Sequence, residues 1–218
     1  MALRLNGATS GYTEINAPAT AGNNTLVLPT GNGTNGQFLQ TDGSGALSWG
    51  TAGSAIITLG TAQSSTSGTS IEFTGIPSWA NRITVIFSQV STSGVSDPFQ
   101  IQVGTSSGYV TSGYASTALL NGAAVVTSTV GFLGLNTLTN TLLYSGRYTI
   151  YKITGNTWVG DGLIQQCSGQ TGATGQGGPA TGNIALAGTL DRLRIIAGNA
   201  GTPSATFDAG TINILYEG

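Results

Sequence analysis

The sequence predicts an all-β protein in which an antiparallel, jelly-roll-like β-sandwich follows an extended N-terminal segment containing a β-hairpin. No window keeps apolar residues at helical spacing without a Gly, Pro or Thr-rich interruption. Short β-branched and aromatic runs bounded by Gly, Asn, Asp or Pro recur instead, which is typical of strands. Charged residues are only 6% of the chain, but 39% are hydrophobic, which indicates a folded protein with a neutral surface and not a disordered one.

Residues 54–218 carry most of these runs, and their side chains alternate between two faces. The alternation predicts a core-facing row in each of three runs: Ile83, Val85 and Phe87; Leu193 and Ile195; Ile212, Ile214 and Tyr216. Because no helix is available to cross between parallel strands, antiparallel pairing is expected. Residues 54–218 therefore form the predicted two-sheet sandwich.

Residues 1–53 are different, since apolar residues are sparse and the loops are long. A segment of about 50 residues rarely buries enough surface to fold alone. It needs a partner surface, either the C-terminal sandwich or copies of itself in a closed ring. We expect a homotrimer.

Gly31, Gly33 and Gly36 have the G-x-G-x-x-G spacing of dinucleotide-binding loops. Such a loop must open a helix and be followed about 20 residues later by a carboxylate for the ribose. Here Asp42-Gly43 and Ser44-Gly45 interrupt the chain, and no acidic residue stands where the ribose ligand belongs. The glycines are interpreted as turn residues, and no cofactor is expected.

The same stretch predicts a hairpin, "QFLQT" and "ALSW" around "DGSG". A four-residue loop, Asp42–Gly45, would place Phe38 opposite Trp49, whereas a three-residue loop would place Leu39 on that face. In either case Leu47 and Trp49 share one apolar face.

Catalysis has few candidate residues, because the chain has no histidine for a triad or a zinc site. The carboxylates that could act in pairs on glycosides are Asp97, Asp161, Asp191 and Asp208. Asp97, Asp161 and Asp208 have turn-like neighbours. We therefore expect a protein that is not an enzyme and holds no metal.

Other features limit the partners and the compartment. The chain has six Lys and Arg residues and eight Asp and Glu residues, so it has no continuous basic surface for phosphates. Nucleic acid is therefore not expected as a partner. The chain shows no signal-peptide pattern and no apolar run long enough to span a bilayer. Cys167 is the only cysteine, so no intrachain disulfide can form, and we expect a small buried residue and not a reactive thiol.

Residues 169–180, "GQTGATGQGGPA", are predicted to form a mobile loop between the strands "GLIQQC" and "NIALAG". Loops at the end of a rigid sandwich commonly carry binding specificity. A receptor-contact role is therefore assigned to Gly169, Gly172, Gly175 and Gly178.

The N-terminal stretch resembles the start of many tailed-bacteriophage fibre proteins, in which L-P-x-G-x-G-x-x-G-Q-x-L-x-T-D-G-x-G-x-L-S-W precedes a variable domain. The matching residues are Leu28, Pro29, Gly31, Gly33, Gly36, Gln37, Leu39, Thr41, Asp42, Gly43, Gly45, Leu47, Ser48 and Trp49. The resemblance implies a homotrimeric virion protein, made in the host cytoplasm, whose N-terminal segment binds tail or capsid proteins. Its C-terminal domain would contact a host-surface glycan or protein.

The function expected is that of a short tail fibre, with a capsid decoration protein or head fibre as the alternative. A polysaccharide depolymerase is less expected. The side chains assigned to self-association and attachment are Leu3, Leu5, Ile15, Leu26, Leu28, Phe38, Leu47 and Trp49.

Overall fold

The computed structural model describes residues 3–51, 56–94, 97–119, 125–135, 140–168, 177–198 and 200–218. Their regular structure is entirely β, and no helix in these ranges could cross a membrane. The chain divides into two compact units, Met1–Ser54 and Ala55–Gly218, next to the boundary expected at 53/54. The predicted all-β class is confirmed.

The N-terminal unit consists of two hairpins. Strands β1 (Leu3–Asn6) and β2 (Tyr12–Ile15) form the first, and β3 (Gln37–Thr41) and β4 (Leu47–Thr51) form the second. Arg4 on β1 links the two strands of the first hairpin. Its guanidinium donates hydrogen bonds to Glu14 on β2 and lies 4.0 Å from the ring centroid of Tyr12, also on β2. Both hairpins are two-stranded, a form that is marginally stable on its own in water.

The second hairpin is the one predicted from the sequence, but its register differs. Leu39 lies opposite Trp49, and Phe38 lies opposite Gly50, so the predicted Phe38–Trp49 pair is wrong. The loop has five residues, because the Asp42 carboxylate accepts hydrogen bonds from the backbone N–H of both Ser44 (2.7 Å) and Ala46 (3.2 Å). These bonds draw Ala46 into the turn and shift the register by one residue.

The C-terminal unit contains fourteen strands among its described residues. They are β5 (Ile57–Leu59), β6 (Gln63–Ser64), β7 (Ser70–Thr74), β8 (Arg82–Thr92), β9 (Phe99–Thr105), β10 (Gly108–Tyr109), β11 (Ala115–Leu119), β12 (Val125–Ser128), β13 (Phe132–Leu135), β14 (Leu143–Thr154), β15 (Thr157–Ser168), β16 (Gly177–Ala185), β17 (Arg192–Ala197) and β18 (Phe207–Glu217).

These strands form two antiparallel sheets. The large sheet has the order β12-β11-β16-β15-β14-β8-β18-β5, with β6 also paired to β18. The small sheet has the order β10-β9-β17-β7, with β13 also paired to β9. The inward faces of the two sheets enclose one apolar core, so the antiparallel β-sandwich is confirmed.

The core-facing rows predicted from alternation are buried. Ile83, Val85 and Phe87 lie inside, as do Leu193 and Ile195, while Tyr216 is only partly buried at the edge of the core. Phe99 sits in the aromatic centre, with ring centroids of Phe87 at 5.6 Å and of Phe207 at 6.1 Å.

Two glycines of β15 lie beneath the ring of Tyr148 on the neighbouring strand. A Cβ on Gly160 would come within 2.5 Å of that ring, and one on Gly162 within 2.6 Å. These glycines therefore make room for an aromatic side chain and do not form a turn. The turn expected at Asp161 is wrong, since Asp161 lies within β15, and Asp208 likewise lies within β18.

Candidate functional site

The side chain of Trp49 packs against the segment that contains the glycine triplet. Trp49 donates its indole N–H to the carbonyl of Gly31 at 2.6 Å. A Cβ on Gly33, whose φ is +69°, would lie 2.7 Å from the indole ring. No helix follows within the described residues 28–51, so the stretch lacks the N-terminal amides that a pyrophosphate needs. Of the three glycines, Gly33 allows the close approach of the Trp49 ring, whereas a Cβ on Gly31 or Gly36 would meet nothing within 4 Å.

The side chains assigned to attachment are almost all solvent-exposed. Within residues 3–51, Gly50 is the one buried residue, and Leu47 is intermediate. The exposed fraction ranges from 37% for Trp49 to 70% for Leu28. The members exposed in this way are Leu3, Leu5, Ile15, Leu26, Leu28, Phe38 and Trp49.

The structure brings some of these residues together in pairs. Leu3 lies opposite Ile15 in the first hairpin. In the second, Leu39 lies opposite Trp49, and Leu47 is on the same face two residues earlier, as predicted. The sequence predicts Leu39 on that face only for a three-residue loop. The loop found has five residues and therefore gives the same alternation, so Leu39 replaces Phe38 there.

The C-terminal unit presents a second apolar surface on the outer side of its large sheet. We call it the apolar face; it consists of Ile57, Leu59, Ile86, Tyr151 and Leu163. Ile86 and Leu163 flank Arg147 directly in the strand register, and the three line a groove of about 480 Å³. The two-residue alternation of β8 already pointed Ile86 away from the core, but the sequence did not show its neighbours.

Four charged residues lie close to Tyr109 on the outer side of the small sheet. The residues Glu72, Tyr109, Asp191, Arg192 and Arg194 form what we call the Tyr109 cluster. The Tyr109 hydroxyl donates to Glu72 at 3.1 Å, and the Arg194 guanidinium lies 4.5 Å from the ring centroid. Arg192 donates to the Asp191 carboxylate at 2.8 and 3.3 Å. The two cations and two anions balance.

The Tyr109 cluster contacts the buried side chain of Gln102 and borders a polar cleft. Arg194 donates Nε–H to the side-chain oxygen of the fully buried Gln102 at 2.8 Å. Burial, together with the charge and hydrogen bond of Glu72, raises the pKa of Tyr109 from 10.0 to about 12. Asp191 also lines a polar cleft of about 340 Å³ with Thr105, Ser106, Ser107 and Thr189. Nothing in the sequence brought these residues together.

Of the predicted receptor-contact loop, residues 169–180, the structure describes only residues 177–180. Gly169, Gly172 and Gly175 lie outside the described residues. Gly178 is not in a loop, because β16 begins at Gly177 and pairs Gly178 with Ile164. A Cβ there would fall 1.9 Å from the Leu119 carbonyl oxygen, so close packing against β11 explains this glycine.

The other chemically reactive residues are dispersed. Cys167 is exposed, so the expected burial is wrong; it lies on the outer side of β15, where its thiol meets the Ser145 hydroxyl at 3.1 Å. Asp97 accepts a hydrogen bond from Ser204 at 2.6 Å, and Asp161 is exposed on β15. The four candidate acids thus belong to four different segments of the fold.

Fold and surfaces together define a β-sandwich protein preceded by a segment of two hairpins, in whose described residues 3–51 only Gly50 is buried. Comparison adds no relatives: no protein family, no curated protein and no solved structure matches the chain.

Proposed function

We propose that this chain is a structural protein of a tailed-bacteriophage particle, a short tail fibre that works as a homotrimer. Residues 1–54 associate with their copies and attach to the particle, and the C-terminal sandwich contacts the host surface. The observation that carries the proposal is the unburied apolar surface of residues 3–51, which lie on two hairpins without a core of their own. The resemblance of residues 28–49 to phage fibre proteins supports the same assignment.

The exposed apolar surface is large enough to drive assembly. Fully burying a Leu, Ile or Phe side chain stabilises by about 1.5–3 kcal/mol. The seven exposed side chains, weighted by the fractions now in solvent, would contribute roughly 6–12 kcal/mol per chain if covered. Copies of the same segment can supply that cover, because each chain brings the same few apolar residues to a shared centre.

The sandwich contributes a second contact between copies through the apolar face. Exposed apolar patches of this kind mark interaction sites on soluble proteins. Arg147 and Asp161 lie on the same side of the sheet, and neither belongs to the three ion pairs of the described residues. The ion pair between Arg82 and Glu217 lies on the same side, so this surface carries two cations and two anions among its apolar side chains. Charges of both signs can pair with those of a neighbouring copy.

The mass of the full chain in solution tests the assembly step. We expect a trimer by light scattering after size-exclusion chromatography, at micromolar concentration. Leu26→Asp with Leu28→Asp should lower the mass towards that of the monomer, because two charges then replace exposed leucines. Thr20→Asp with Asn24→Asp adds the same charge at exposed polar positions and should leave the trimer intact. A wild-type monomer would refute the proposal.

The place of the protein in the virion needs a separate measurement. An antibody raised against residues 55–218, which have their own core, should label the tail tips of phage particles in electron micrographs. Labelling over the capsid would instead support the decoration protein or head fibre, and absence of label would refute a virion role.

A further inference from the structure

A continuous row of short polar side chains crosses the outer side of the large sheet. Its members lie opposite each other on neighbouring strands, so they form one line across six strands. Five are threonines, and the sixth, Asp161, is the one charged residue of the row. We call it the threonine row, which from β12 to β8 consists of Thr127, Thr117, Thr181, Asp161, Thr149 and Thr84.

A second row runs beside the first, two residues away along each strand, and is mainly apolar. Its one charge is the guanidinium of Arg147. The register of β11 against β16 places Leu119 beside Pro179, so this row is also continuous. We call it the Arg147 row, which from β12 to β8 consists of Val125, Leu119, Pro179, Leu163, Arg147 and Ile86.

The two rows differ in height, because threonine side chains are shorter than those of Leu, Ile and Arg. Thr149 lies on the outer side of β14, between the core residues Tyr148 and Ile150, but is only 6% exposed. Leu163 and Ile86, in the Arg147 row, are 47% and 37% exposed. The threonine row is therefore a shallow trough beside a raised apolar row. A second copy of the sheet presents both shapes, so the raised row of one copy can lie in the trough of another.

The charges of the two rows have no ionic partner within the described part of the chain. Arg147 and Asp161 are exposed diagonal neighbours on β14 and β15, close enough for long side chains to meet. They nevertheless form no ion pair with each other or with another described residue. Arg82 and Glu217, on the same side of the sheet, do bind each other. One cation and one anion thus remain available to another molecule.

We propose that the large sheets of neighbouring copies pack against each other, with Arg147 of each copy paired to Asp161 of the next. The pair fixes the register of the contact, because the opposite charges meet only where the Arg147 row of one copy lies over the threonine row of its neighbour. In a trimer the three pairs form a closed ring of alternating charge. This inference deepens the proposed homotrimer and rests on it.

Oppositely charged variants, alone and mixed, provide the test. Arg147→Asp gives a copy with two anions at the contact, and Asp161→Arg gives a copy with two cations. Both positions are exposed, so the thermal midpoint should stay that of the wild type. In sedimentation velocity on residues 55–218, which have their own core, each variant alone should associate at least about tenfold more weakly than the wild type, because like charges then meet.

An equal mixture of the two variants should associate at least about fivefold more tightly than either variant alone, since opposite charges meet at two of the three contacts in a mixed trimer. Mixing cannot restore an ion pair that forms within one chain, because each variant copy carries two charges of the same sign. The mixture therefore separates a pair between copies from a pair inside one copy.

Matched controls carry the same change of net charge away from the large sheet. Thr69→Asp with Thr74→Asp changes the charge as Arg147→Asp does, and Thr69→Arg with Thr74→Arg changes it as Asp161→Arg does. Both threonines are exposed and lie beside or on β7 of the small sheet. The controls, alone or mixed, should associate within about twofold of the wild type.

Three results would overturn the inference. Residues 55–218 could stay monomeric at about 0.1 mM, or the charge variants could associate as tightly as the wild type. A mixture no tighter than the single variants would also overturn it, and is expected if Arg147 and Asp161 only face solvent. In each case a trimeric full chain that labels the tail would leave the proposed function standing, whereas a monomer that labels no particle would remove the function itself.

Discussion

Replacing Gln102 with methionine tests whether the polar layer over the small sheet holds the sandwich together. The substitution keeps the shape of the buried side chain and removes three hydrogen bonds. The carbonyls of Val130 and Gly201 then lose their donor, and Arg194 loses the acceptor that fixes its guanidinium.

The expected loss follows from those three bonds. A buried hydrogen bond contributes about 1 kcal/mol net, and an orphaned buried carbonyl costs about 1–3 kcal/mol. Because Gln102 is fully buried, water cannot easily replace its amide. We expect Gln102→Met to lower the free energy of unfolding by about 3–5 kcal/mol, a large part of the roughly 5–15 kcal/mol typical of a domain.

Urea unfolding of residues 55–218, followed by the fluorescence of Trp79 and Trp158, measures this change. Gln100→Met is the matched control, since it makes the same substitution two residues away on the same face but removes no internal bond. Its free energy of unfolding should stay within about 1 kcal/mol of the wild type. The reasoning fails if Gln102→Met is as stable as Gln100→Met.

Three further changes have defined outcomes. Gly33→Val should unfold the second hairpin, because its Cβ would collide with the Trp49 ring at a positive φ, and the indole N–H signal in NMR spectra should lose its dispersion. The wild-type minus Tyr109→Phe difference in tyrosinate absorbance should titrate near pH 12; a midpoint near 10 would contradict the burial of the phenol. Since the folded-state pKa is raised, the stabilisation linked to Tyr109 should be fully present below pH 10 and lost between about 10 and 12. Leu163→Asp on the apolar face should weaken self-association of residues 55–218, whereas Thr74→Asp on the small sheet should not; equal effects would exclude the apolar face as an interface.

Local sequence rules were sufficient for the strands that have one side in the core. Alternation over β8 assigned Ile83, Val85 and Phe87 correctly, because a two-residue period follows directly from strand geometry. The hairpin around Asp42 was also recognisable, since Asp-Gly favours a tight turn. Its register depended on the two backbone bonds that the Asp42 carboxylate accepts, which no alternation pattern reveals.

The roles of two glycines and the burial of two glutamines depend on tertiary packing, so the sequence pattern did not predict them. Gly160 and Gly162 resemble turn residues until the ring of Tyr148, from another strand, is placed on them. Gln100 and Gln102 alternate with apolar residues and therefore resemble solvent-facing positions. They are buried because segments about 30 and 100 residues further along the chain cover that side of the sheet.

The strand that follows residue 55 would have mechanical consequences if the chain works as the proposed fibre. β5 has three residues and is held at the sheet edge by three register pairs with β18. A pull transmitted from residue 55 would reach this strand before the rest of the sheet. Detaching residues 56–62, up to the start of β6, would release about 24 Å of extended chain while leaving the enclosed core intact. Under load, β5 would detach first and lengthen the connection to the sandwich. The sandwich itself would stay folded and could move closer to a surface.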